Sequence, residues 1–66
     1  MELTVNGAGR SVPGEVSVAD LVRAVAPQPR GVAVAVNGEV VPRAGWATTA
    51  LRDGDRVEVL TAAQGG

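Results

Sequence analysis

Sixty-six residues set a limit of one domain, and a chain this small buries only about 60% of the surface that its unfolded form exposes. Cysteine and histidine are both absent, which removes disulfides, thiolates and the commonest general base and metal ligand. The formal net charge is −1, spread along the chain, so nothing favours nucleic acid or a membrane surface. No apolar run reaches span length and "MELTVNG" has no basic-then-apolar leader, so a cytosolic address is expected.

In chain order, Leu3 and Val5 alternate with Glu2, Thr4 and Asn6 before Asn6-Gly7, and the pattern resumes at Arg10-Ser11-Val12. Period-two alternation around Asn-Gly predicts a hairpin, which Pro13-Gly14 closes. The stretch "SVADLVRAV" is the one good helix. Ser17 is its N-cap, with Asp20 three residues on completing a capping box at the positive helix end. Val18, Leu21, Val22 and Val25 form one apolar stripe, and Pro27 and Pro29 stop the helix.

"GVAVAV" (31–36) is apolar on both faces, valines on one and alanines on the other. It reads as an interior strand whose Ala33 and Ala35 face lies under something bulky. Asn37-Gly38 turns it into "EVV", which Pro42 ends. "RAGWATTAL" shows no clean period and reads as a short helical turn and loop. Asp53-Gly54-Asp55 is a further turn, and Val57 and Val59 share a face of the strand "RVEVLT". The sum is an α+β domain, a mixed sheet of four to five strands with one main helix packed on one face.

Candidate chemistry is sparse. Asp53 and Asp55 flank a turn glycine, and side chains that bond their own turn account for them better than a cation does, since two oxygens make a poor hard-metal site. The arginines (Arg10, Arg23, Arg30, Arg43, Arg52, Arg56) read singly as solvated charges. Trp46, the only aromatic residue, reads first as core, plugging the sheet edge or covering the alanine face, and second as an interface anchor. Gly7, Gly9 and Gly14 sit in turns with the wrong spacing for a phosphate loop. No side chain pairs a nucleophile with a base, so the chain is not expected to be an enzyme and binds no cofactor of its own.

The segment Ala62, Ala63, Gln64, Gly65, Gly66 offers different chemistry. An α-carboxylate is ionised at neutral pH and can attack the α-phosphate of ATP on a partner. Glycines without Cβ atoms let the backbone approach another active site closely. Five residues reach at most roughly 16–18 Å, enough to thread a catalytic cleft.

Three stretches, "VAVNGEVVPRAGW" (34–46), "LRDGDRVEVLTA" (51–62) and the closing "QGG", together with the order of elements, resemble the ubiquitin-like β-grasp sulfur carriers of the ThiS family. The resemblance covers essentially the whole chain. It implies a β-grasp domain over residues 1–61 and a flexible C-terminal tail over 62–66, with Gly66 as the modified terminus and Gly65, Gln64, Ala63 and Ala62 as the threaded segment. It implies further that an E1-like adenylyltransferase of the ThiF type adenylates Gly66 with ATP and Mg. A desulfurase-type donor then supplies the sulfur of a thiocarboxylate, which thiazole synthase of the ThiG type receives. The free carrier is expected to be monomeric. Two other readings stand beside this one: a carrier for molybdopterin synthesis or tRNA thiolation, and a TGS-like β-grasp binding module.

Overall fold

The computed structural model describes residues 1–26 and 31–61. Strands β1 (Glu2–Val5) and β2 (Ala8–Ser11) form the first hairpin, helix α1 (Val18–Val25) follows, and β3 (Val32–Val36) and β4 (Glu39–Val41) form the second hairpin. A 3-10 helix, Arg43–Thr48, then leads by a turn to β5 (Arg56–Thr61). The helix stop assigned to Pro27 and Pro29 and the tail at 62–66 lie outside the described residues.

The sheet order is β2-β1-β5-β3-β4. β5 therefore occupies the centre, parallel to β1 with Val5 opposite Val57, and antiparallel to β3 with Val34 opposite Val59. Both hairpins turn on the left-handed pair that a two-residue connection demands: Asn6 and Gly7 have φ of 50° and 84°, Asn37 and Gly38 of 51° and 86°.

Period-two alternation decides which side chains meet the helix. Leu3, Val34, Val57 and Val59 point inward and are buried against Val18, Leu21 and Val22, with Trp46, Leu51 and Ala26 completing the core. The helix begins as its sequence implies. Ser17 accepts from the Asp20 amide at 3.2 Å and Asp20 accepts from the Ser17 amide at 3.0 Å. The start of α1 is tied to the segment before β5 by Val18 N–H donating to Thr49 O and Leu51 N–H to Val16 O, both at 2.9 Å.

The alanine face of β3 departs from expectation. Ala33 is exposed and Ala35 half-buried, because the one α-helix of the described residues covers the valine side. Trp46 lies on that covered side too, 6% exposed, and donates its indole N–H to Val41 O at 2.9 Å. It is a core residue that closes the β4 edge, and it does not shield the alanines.

Candidate functional site

The turn 53–55 shows how the carboxylates are used. Asp55 accepts from the Arg52 amide at 2.8 Å and from the Asn37 side chain at 3.0 Å, the local turn bonding expected of it. Asp53 reaches further than its own turn and accepts from the Glu2 amide on β1 at 2.6 Å. Both side chains hold β1 and the β3–β4 turn to the start of β5. Among the described residues, no group of three or more acidic side chains is placed to hold a metal ion.

Asp20 is the one described carboxyl displaced from its ordinary value of 3.8, and it moves downward. The Ser17 backbone amide is the main cause, followed by the Ser17 hydroxyl and the positive charge of Arg23, which bonds it at 2.6 Å. This is a helix cap and carries no chemistry beyond it. Arg10, Arg23, Arg43, Arg52 and Arg56 are all exposed; Arg30 lies outside the described residues. The Arg43 guanidinium rests over the Trp46 ring, 5.4 Å from its centroid.

The outer sheet face is asymmetric. Its β1–β2 half carries Glu2, Ser11 and Thr4, with the Ser11 hydroxyl donating to Glu2. Its β3–β4 half presents Val40, 75% exposed, and Leu60 of β5, 66% exposed; Ala35 pairs across to Val40 and Ala33 to Leu60, with the exposed Glu58 on the other side of Ala35. Large exposed apolar side chains grouped on one face mark an interaction surface more often than scattered ones do. The strand pattern held the signal, since Val40 and Leu60 fall out of phase with the inward Val41 and Val59. Sequence reasoning did not single them out. Gly66, Gly65, Gln64, Ala63 and Ala62 lie outside the described residues, but Leu60 belongs to the strand that leads into them.

A mixed five-stranded sheet grasping one α-helix defines the class: a ubiquitin-like β-grasp protein. The ThiS family model matches residues 3–66, and the chain belongs to that family. The crystal structure of the thiamine biosynthesis protein ThiS from Geobacter metallireducens is similar over the whole of both chains, with 40% identity and a TM-score of 0.84. An NMR solution structure of a thiamine biosynthesis protein from the same organism matches with 40% identity and a TM-score of 0.81, over 100% of this chain and 88% of that one. A thiazole synthase from Paramagnetospirillum magneticum is 35% identical over 66 residues, and this chain spans 20% of that protein's length. The ThiS family is one of small ubiquitin-like carriers.

Proposed function

We propose that this ThiS-family sulfur carrier of thiamine biosynthesis bears its sulfur on the carboxyl of Gly66. The carboxylate attacks the α-phosphate of ATP held by an E1-like, ThiF-type enzyme with Mg, forming an acyl-adenylate and releasing pyrophosphate. Sulfide, released from a desulfurase persulfide by a thiol reductant that is oxidised to a disulfide, then attacks the carbonyl carbon, AMP leaves, and a thiocarboxylate remains. The domain itself supplies no acid, base or nucleophile to these steps. The observation that carries the reading is the continuity of β5: the central strand, bonded on both edges, leads directly into Ala62, Ala63, Gln64, Gly65 and Gly66.

The apolar patch of Val40, Leu60, Ala33 and Ala35 is the surface on which the activating enzyme docks. Leu60 stands two residues before Ala62 and belongs to the strand that leads into that segment, so docking on this face brings the start of the delivered segment to the enzyme. Transfer to a ThiG-type thiazole synthase is supported by the relative in which a stretch like this chain forms a fifth of a thiazole synthase polypeptide. A cytosolic, monomeric carrier belongs to the same reading.

Intact mass measured after incubation with the activating enzyme, ATP and a sulfide source tests it. One oxygen replaced by sulfur is expected, and deletion of Gly66 abolishes the change without unfolding the domain. An unchanged mass, with the enzyme active on another carrier, refutes the carboxylate mechanism.

A further inference from the structure

The pairing of β1 with β5 ends in an unusual way. β1 runs alongside β5 through Thr4 and Val5, opposite Arg56 and Val57, and the Asn6 amide donates to Val57 O at 2.9 Å. The chain then turns back at Asn6-Gly7. The next step of the ladder is made by a side chain: Asn6 Oδ1 accepts from the Val59 amide at 2.8 Å, and Asn6 Nδ2 donates to Val59 O at 3.0 Å. One carboxamide supplies Val59 with both the acceptor and the donor that successive peptide units of a longer β1 would supply.

Asn37, in the other hairpin turn, is used differently. Its Oδ1 accepts from the Arg56 amide at 2.9 Å and its Nδ2 bonds Asp55, at the opposite end of β5. The two turns share the Asn-Gly sequence and the same backbone signs, yet only Asn6 reaches the end from which residues 62–66 depart. A left-handed turn alone explains Asn as well as Gly at position 6. It does not explain two bonds to Val59, 53 residues away.

We infer that Asn6 is a positioning residue for delivery of the Gly66 carboxyl, a role that rests on the carrier reading above. By holding both polar groups of Val59, it extends the pairing of that β5 edge beyond the end of β1 and fixes the direction in which Leu60 and Thr61 point into the tail. Thr61 is paired to Val32 on the other edge only. Removal of the Asn6 carboxamide leaves the last residues of β5 held from one side. A carboxyl delivered from a strand end held on one edge only is expected to meet the α-phosphate less often.

The test compares Asn6→Gly with Asn37→Gly. Glycine adopts both left-handed turns freely, so each variant deletes one carboxamide and keeps its hairpin. In Asn6→Gly, the Val59 amide is expected to exchange with solvent roughly tenfold faster, about what one net hydrogen bond is worth, while core amides such as Val34 keep their protection. Adenylate formation on the E1-like enzyme is expected to lose about tenfold in kcat, as misplacement of a reacting group does, with KM unchanged because the outer face is intact. Asn37→Gly should leave kcat at the wild-type value. The inference is overturned if Asn6→Gly keeps the wild-type kcat, or if Asn37→Gly loses as much, which would make the effect one of general stability. Failure of the carrier reading is a separate result: the wild-type chain itself would then form no adenylate.

Discussion

The indole N–H of Trp46 donates to the carbonyl of Val41 2.9 Å away, so one side chain closes the edge strand β4 onto the 3-10 helix that follows it. Pro42 lies between them and ends the strand by lacking a donor; the ring then folds back beneath the sheet. Three residues of "VPRAGW" thus act as a unit. Arg43 covers the outer surface of the same ring.

Trp46→Phe separates the bond from the packing. The phenyl ring retains most of the buried apolar surface and leaves Val41 O without its donor, so a loss of about 1 kcal/mol is expected. Trp46→Ala empties the site and should cost about 3–5 kcal/mol, a large share of the roughly 3–10 kcal/mol that a domain of this size commands. Urea unfolding of the two variants measures both figures. A phenylalanine variant as stable as the parent would show that the bond contributes nothing net.

The N-cap of α1 makes two predictions. Ser17→Ala should lower Tm by about 4–8 °C, the equivalent of roughly 1 kcal/mol for a domain of this length. Asp20 is bonded in its ionised form, so its folded pKa lies below the unfolded one. Its contribution is complete above the ordinary value of 3.8 and fades as pH falls through the lower folded value. Thermal melts across the acid range should therefore show a shallower loss of stability for Asp20→Asn than for the parent. Parallel acid limbs would remove Asp20 from the account.

Leu60→Asp and Val40→Asp place charge on the proposed docking face without entering the core. Each should change stability by no more than about 0.5 kcal/mol. Each should also raise KM for activation by tenfold or more, as loss of a central apolar anchor costs at least about 1–2 kcal/mol. Steady-state kinetics with the activating enzyme decides; an unaltered KM in both moves the docking surface elsewhere.

Gly38→Ala tests the second hairpin turn. A Cβ there meets nothing within 4 Å, so any cost comes from the backbone alone. At φ of 86° that cost should be roughly 1–2 kcal/mol, read as a lower Tm with sheet content preserved. A neutral substitution would mean that the turn relaxes to another form.

Gly65→Val addresses the threaded tail. A branched side chain beside the terminal residue should slow adenylation by at least about a hundredfold through a misplaced carboxylate. Tm should stay nearly unchanged, since the buried core described runs from Leu3 to Val59. Normal adenylation by this variant would show that the passage is wide and that Gly65 serves another purpose.

Much of the fold was legible because it rests on local rules. The Ser17 and Asp20 capping box, the two Asn-Gly turns and the alternation of Val57 and Val59 each follow from neighbours in sequence. The face of a strand is not local. "VAVAV" presents two apolar sides of different size, and only the placement of a single helix tells which is covered; the larger valines won, and Ala33 stayed in solvent. Asn6 and Asp53 misled in another way. Each is a fully adequate turn residue, so nothing in the sequence called for a second duty, yet each also reaches a strand 51 or more residues distant. The patch of Val40 and Leu60 required the strand order, since these residues share a face only because β3 lies between β4 and β5.

That order has a consequence for the birth of the molecule. Until residues 56–61 exist, the two hairpins have no edge in common: a nascent chain on the ribosome can make each hairpin and the helix but cannot join them. Assembly of the sheet waits for the segment that leads into residues 62–66. A prematurely terminated chain therefore lacks the tail and the seam of the sheet together, and proteases meet an open, half-built product where the finished one is closed.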